Sequence, residues 1–240
     1  MYIELLKRCL LDTVYDSRVM GGSSNVGQIA TVFQTKNGTY WPLRAHTMIG
    51  EKRLTNIEDC FKEIINNKIP GDLIETGVWR GGACIFMAGL NKFYNENRKI
   101  YVADSFEGLP PPDPKYPADN GDKHHTVDCL AVGLEEVQSN FIRYGLLDEN
   151  VVFVKGFFEH SLKNTDITQI SLLRLDGDMY SSTIQVLDQL YDKVSIGGFI
   201  VIDDYALPGC KKAIDDFREN RNITTQLIQV DWTGHYWIKE

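Results

Sequence analysis

The chain has 240 residues, 43% of them hydrophobic, enough for one sizeable core and too few to require two. A formal net charge of -8 without a long basic run argues against a general nucleic-acid binder. Five scattered cysteines, odd in number and without a C-x-x-C pair, give no basis for a disulfide framework or a zinc site and point to reduced thiols in the cytoplasm.

The first residues lack the cationic head and apolar run of a signal peptide, and nothing later approaches the ~20 apolar residues of a membrane span. Leu5, Leu6, Cys9, Leu10 and Val14 recur at helical spacing and predict an amphipathic helix over 2–15 that packs on a partner or covers a site. Residues 17–40 are rich in Gly, Ser, Asn and Thr and carry no period of either kind, so they read as a loop that is either a functional lid or disordered. A second helix is predicted with Thr55 as N-cap, Ile57, Cys60, Phe61, Ile64 and Ile65 on its apolar face, and an end before Pro70. Residues 1–68 thus form an N-terminal helical extension and lid, and 69–240 the main domain.

From Gly71 the pattern becomes short apolar runs alternating with helical periods: DLIET, helix 82–95, KIYVAD, helix 126–144, VVFVKG, LLRLD, helix 180–192, GGFIVIDD and helix 209–219. That alternation predicts an α/β fold, a doubly wound parallel sheet with helices on both faces. TTQLIQVDW and HYWIK, joined at Thr233 and Gly234, close it as an antiparallel hairpin.

Ligands of open α/β sheets sit at the carboxyl ends of the strands. The first such end, Glu75-Thr-Gly-Val-Trp-Arg-Gly-Gly82, has glycines that let a ligand approach a helix mouth, but its spacing departs from the G-x-G-x-x-G that admits a pyrophosphate. A ligand without a pyrophosphate, such as S-adenosylmethionine, fits better. Asp104 closes the next strand, where an acid either accepts the ribose hydroxyls of adenosylmethionine or NAD, or caps a turn. Gly156 and Phe157 follow a third strand and border an adenine face, while Phe158 reads as core. Two further ends carry Asp176-Gly-Asp178 and Asp203-Asp204. On neighbouring strands these four carboxylates converge, and they either cap the following helices or share a cation. Oxygen-only ligands without a Cys or His pair suit Mg²⁺ rather than zinc.

The stretches AHTMIG, PGDLIETGVWRGGACIFM, YVADSFEGLPPPD, LRLDGDMYSST, GGFIVIDDY and DWTGHYW resemble, in the same order, the macrocin O-methyltransferase family, which methylates sugar hydroxyls of secondary metabolites in antibiotic biosynthesis. The resemblance covers about Leu5 to Trp237. It implies a class I, Rossmann-like methyltransferase fold, S-adenosylmethionine as donor and Mg²⁺ as a catalytic ion. It carries the metal ligands onto Asp176, Asp203 and Asp204, and the proposed base onto Asp178. Cofactor contacts fall on Glu75, Thr76, Gly77, Trp79, Arg80, Gly81, Gly82, Asp104 and Ser105, and acceptor contacts on Met48, His124, His125 and Tyr180. Either histidine can orient the acceptor, act as an auxiliary base or have no chemical role. The implied acceptor is a glycosylated small molecule, a deoxysugar on a macrolide- or aminocoumarin-like scaffold, and the implied assembly a homodimer or larger, formed through the N-terminal helix. The alternatives are a nicotinamide-dependent oxidoreductase on a similar sheet, which leaves the paired aspartates without a purpose, and a non-catalytic binding protein that keeps the fold.

Overall fold

The computed structural model describes all 240 residues. In chain order the elements are α1 (Tyr2–Leu10), β1 (Val19–Gly21), α2 (Val32–Asn37), β2 (Trp41–Pro42), α3 (Glu51–Asn66), β3 (Asp72–Thr76), α4 (Gly82–Phe93), β4 (Ile100–Asp104), α5 (Leu134–Tyr144), β5 (Val151–Lys155), α6 (Phe158–Ser161), β6 (Ile170–Leu175), α7 (Tyr180–Leu190), β7 (Val194–Ile202), α8 (Pro208–Asn220), β8 (Ile228–Gln229) and β9 (His235–Ile238). The main sheet runs β5-β4-β3-β6-β7-β9-β8, parallel from β5 to β7, with the β8/β9 hairpin antiparallel at the edge. Chain order reverses between β3 and β6, so the crevice for ligands opens there, at the carboxyl ends of the strands.

Alternate residues of each strand feed opposite faces, as a two-residue period requires. Leu73, Val102, Leu172 and Phe199 join α1, α3, α4 and α5 in a core of 31 buried residues, whereas Ile74, Tyr101, Leu173 and Ile200 join α7 and α8 in one of 20. The predicted α/β architecture and closing hairpin are both present. No helix is long and apolar enough to cross a membrane, and all five cysteines are free.

The N-terminal third departs from expectation in detail. The first helix stops at Leu10, and its apolar face, Ile3, Leu6 and Leu10, is buried within the chain, where Leu6 lies over Gly89 of α4. Each of these side chains stabilises the fold by about 1.5–3 kcal/mol, whereas Leu5 and Val14, also placed on the apolar face from sequence, are exposed. Residues 17–40 are ordered by polar chemistry rather than by an apolar period. Thr31 and Gln34 form a capping box on α2, Gln34 Nε2 also donates to Ser23 and Asn25, and Gly38 ends the helix at φ +60. The β1/β2 pair then closes the segment. Helix α3 begins at Glu51 with Gly50 as N-cap, five residues before the cap predicted at Thr55, and Gly50 packs backbone to backbone on Gly38. Helix α5 starts at Leu134; the region expected to open it holds two 3-10 turns, His124–Thr126 and Asp128–Leu130.

Gly82 opens α4 directly beneath His46 and Thr47, and a Cβ there would lie 2.7 Å from Thr47 Cβ and closer still to the His46 carbonyl. Gly82→Ala is expected to lower Tm by about 2–10 °C by calorimetry, as overpacking of this kind costs about 1–3 kcal/mol.

Candidate active site

A cavity of about 920 Å³ spans the carboxyl ends of β5, β4, β3, β6 and β7. That is near the upper end for a small-molecule site, room for two ligands side by side. One half is built from the β3 and β4 ends. Gly77 has φ +88, and a Cβ there would run into the Asp176 carbonyl, so glycine is required for two strand tips to meet. Trp79 and Phe106 are bulky residues held at φ 48 and 57, a strain that clusters at functional sites. The Asp104 carboxylate accepts hydrogen bonds from Val78 N and Phe106 N, each 2.7 Å, which fixes its position at the cavity wall and satisfies it in part. It therefore caps this turn and still has lone pairs for a ligand. Trp79 Nε1 donates to the Cys129 carbonyl at 2.8 Å and ties the 117–132 segment over this half.

The other half is acidic. Because β6 and β7 are parallel neighbours, Leu175 pairs with Ile202 and the acids that follow each strand meet. Asp176, Asp203 and Asp204 place ligand oxygens within 4.8 Å of one another. Asp178, at φ 57, sits in a left-handed turn that Asp tolerates, and its N–H donates to Asp204 Oδ2 at 3.1 Å. Burial pushes the carboxyls of Asp176, Asp178 and Asp204 upward, and their mutual charge pushes them further.

Two buried arginines supply part of the compensation, and neither stands out in the sequence as a site residue. Arg174, one residue before the end of β6 and with no solvent exposure, donates to Glu75 Oε1, to Asp203 Oδ1 and, at 2.6 Å, to Asp176 Oδ2. Arg53, from α3, donates to Asp203 Oδ2, to Asp231 Oδ2 at 3.0 Å and to the Gly38 carbonyl at 3.4 Å, linking the acids to the end of α2. Both oxygens of Asp203 are thus held by guanidinium groups. In Asp176 and Asp204 one oxygen is engaged, by Arg174 and by Asp178 N–H, and the second accepts no hydrogen bond. A signal for Arg174 was present: one charge in a six-residue strand that is otherwise apolar or small and buried throughout. Glu75 completes the network, accepting from Cys84 Sγ at 2.8 Å, so the two halves of the cavity share one buried ion network.

Of the residues singled out from sequence, Met48, Glu75, Gly77, Trp79, Asp104, Ser105, His124, Phe157, Asp176, Asp178, Asp203 and Asp204 line the cavity. Seven do not. Thr76 points into the sheet, its hydroxyl donating to the Arg174 carbonyl at 3.2 Å. Arg80 stacks on Trp79 and donates to the Leu43 and Ala45 carbonyls. Gly81 packs on Val137, Gly82 on His46, and Gly156 against Ser161. His125 is exposed, and Tyr180 turns outward to Asp216. Phe158, read as core, also reaches the cavity, and Tyr40, Trp41 and Trp232, which were not singled out from sequence, line it as well.

The profile of the family described as macrocin-O-methyltransferase (TylF) matches residues 1–239. The demethyldecarbamoylnovobiocin O-methyltransferase of Streptomyces niveus is 43% identical across 99% of this chain and 92% of its own length. The mycinamicin III 3''-O-methyltransferase of Micromonospora griseorubida is 39% identical over 99% and 95%. The solved structure of the O-methyltransferase NovP superposes with a TM-score of 0.89 at 40% identity, covering 99% of this chain and 98% of that one. These matches run the full length and remove the nicotinamide alternative. The chain belongs to the macrocin-O-methyltransferase family and is an S-adenosylmethionine-dependent O-methyltransferase.

Proposed function

We propose that this enzyme methylates a hydroxyl on the sugar of a glycosylated natural product, with Mg²⁺ held at the acidic cluster. The observation that carries this reading is the meeting of three carboxylates within 4.8 Å in the same cavity as the donor half. The relatives' names, which specify a novobiocin precursor and mycinamicin III, support an acceptor of that class.

S-adenosylmethionine would lie across Glu75, Gly77 and Trp79, with its ribose at Asp104 and Ser105 and its adenine beside Phe157. The acidic cluster, with oxygen donors only and one free oxygen each on Asp176 and Asp204, suits a hard divalent cation, Asp203 being oriented by Arg53 and Arg174. Asp176, Asp203 and Asp204 would hold such a cation, which would supply Lewis-acid chemistry there, favouring ionisation of an acceptor hydroxyl. The protein aligns the acceptor oxygen with the methyl carbon, an arrangement worth an effective molarity of ~10⁵–10⁸ M. Asp178, beside the cluster and free of both arginines, takes the hydroxyl proton. Residues 17–40, tied down through Gly38 to Arg53 and through the Asn37 carbonyl to Trp232 Nε1 at 2.8 Å, form a lid that excludes water.

The test uses methyl-labelled S-adenosylmethionine with demethyldecarbamoylnovobiocin and mycinamicin III as acceptors. Transfer is expected to require Mg²⁺ and to cease in excess EDTA; an unchanged rate in EDTA removes the metal. Millimolar Mg²⁺ is expected to raise Tm of the wild type and not of Asp176→Ala or Asp204→Ala, read by thermal shift without any acceptor.

A further inference from the structure

Indole carries a large apolar face, and in a folded chain that face ordinarily meets another ring, a cation or the core. Two of the four tryptophans do so: Trp79 holds the Arg80 guanidinium 4.3 Å from its ring centre, and Trp237, fully buried, packs on Tyr191 and Arg218. Trp41 and Trp232 stack on no ring and no cation of the protein, and both line the cavity.

Their positions are fixed without such a partner. Trp232 sits in the turn before β9, between two residues tied to the acidic cluster. Asp231 shares Arg53 with Asp203, and Thr233 Oγ1 donates to the Asp203 carbonyl at 2.9 Å. The indole Nε1 donates to the Asn37 carbonyl at 2.8 Å, which satisfies the polar edge of the ring and leaves its faces. Trp41 rests on a pair of glycines: a Cβ on Gly21 would lie 3.0 Å from its Cε3, and one on Gly22 would lie 3.1 Å from its Cδ1. Tyr40, beside it, is buried with its hydroxyl 2.9 Å from Ser17 Oγ. Trp232 is 51% exposed and stands at the mouth, whereas Trp41 is half-buried. Rings held in place before a ligand arrives lose little freedom on binding it.

Charge narrows the ligand. No lysine lines the cavity, its one arginine is the committed Arg53, and Asp113 and Glu159 add to the acids of the cluster. An anionic group at the mouth would meet carboxylates and no free cation of the protein.

We propose that Trp41 and Trp232 form an aglycone subsite that stacks a flat, uncharged aromatic aglycone while the hydroxyls of its sugar face the acids. This inference rests on the reading of the acceptor as a glycoside.

The test uses two probes that share one deoxysugar with adjacent hydroxyls and differ in the aglycone: 4-methylumbelliferyl α-L-rhamnoside, which carries a flat coumarin ring, and methyl α-L-rhamnoside, which carries none. Calorimetric titration of the wild type, with Mg²⁺ and S-adenosylhomocysteine present so that no transfer occurs, is expected to give the aryl glycoside a Kd about 10- to 100-fold lower. Equal affinities, or binding of neither probe, overturn the proposal, and a preference for the aryl probe that survives in Trp41→Leu removes Trp41 from the subsite. In transfer assays the aryl-to-methyl ratio of kcat/KM is expected to fall about tenfold in Trp232→Leu and to be largely kept in Trp232→Phe. Both variants lose the bond to the Asn37 carbonyl and change a half-exposed side chain, so the difference between them isolates the ring. A ratio unchanged in Trp232→Leu, or lost equally in Trp232→Phe, overturns the stacking role. If the wild type binds the aryl probe and methylates neither, it is the sugar-hydroxyl reading that fails, and the titration still decides the subsite.

Discussion

Replacing Arg174 with methionine is expected to destabilise the protein by about 3–5 kcal/mol, a fall in Tm of about 6–20 °C. Methionine fills nearly the same space, so the loss does not arise from a cavity. It comes from Glu75, Asp176 and Asp203, three carboxylates that share one guanidinium with no solvent exposure and would be left without it. Removing one partner of a buried ion pair costs far more than exchanging the whole network for apolar groups, because the remaining charges can neither hydrate nor move apart. Lysine would keep the charge and lose the fork, and is expected to recover only part of the stability. Calorimetry of the metal-free variant checks both statements; a Tm within 2 °C of wild type, well inside the ordinary surface-substitution range, would show that the carboxylates compensate one another without it.

The same variant carries a pH signature with a definite sign. In the wild type, burial already pushes Glu75 up to about 7 and Asp176 up to about 6, with the charge of Arg174 opposing the rise. Unfolded, both carboxyls titrate near 4. Groups whose folded pKa is raised bind more protons in the folded state, so stability falls as pH rises from the unfolded value through the folded one. Without Arg174 the rise is larger, and the deficit relative to wild type is expected to grow from pH 5 to above pH 7. Denaturant unfolding at pH 5, 6, 7 and 8 measures it; a deficit independent of pH would place the cost in packing rather than charge.

Arg174 also marks where sequence reading stops. The strand-helix alternation, the edge hairpin and the five strand ends that carry the cavity were legible, because period and turn chemistry are local properties. The convergence of Asp176 with Asp203 and Asp204 followed from one topological rule, that consecutive βαβ strands tend to be neighbours. What could not be read was long-range compensation. The aspartates alone pointed to helix caps or a shared cation; positive charge is in fact supplied by Arg174 and Arg53, the second 150 residues from Asp203 in sequence. The segment 17–40 was opaque for a related reason. Its order rests on the Thr31–Gln34 capping box and the polar contacts of Gln34, which leave no mark on an apolar period although the T-x-x-Q spacing was there to find. Glycines misled in the opposite sense: Gly81 and Gly82 suggested a ligand cradle, and they serve the contacts of α4 with α5 and with His46.

The second large effect is expected at Asp178. Asp178→Asn should lower kcat about 10²- to 10⁴-fold, the usual contribution of a positioned general base, and leave Mg²⁺ and S-adenosylmethionine affinity within about twofold. Asparagine suits the test because it tolerates the left-handed backbone at φ 57 as aspartate does, whereas alanine would add strain to the loss of the carboxylate. The backbone N–H that donates to Asp204 Oδ2 is retained, so the neighbouring acids keep their positions. Asp176→Asn differs in kind: it removes an oxygen from the cluster and a charge from Arg174, and is expected to weaken Mg²⁺ binding and stability together with rate. Single-turnover transfer from labelled S-adenosylmethionine, beside calorimetric titration of Mg²⁺, separates the two. An Asp178→Asn enzyme with wild-type single-turnover rate would assign the proton to another group. A variant that loses Mg²⁺ would make Asp178 a fourth ligand rather than the base.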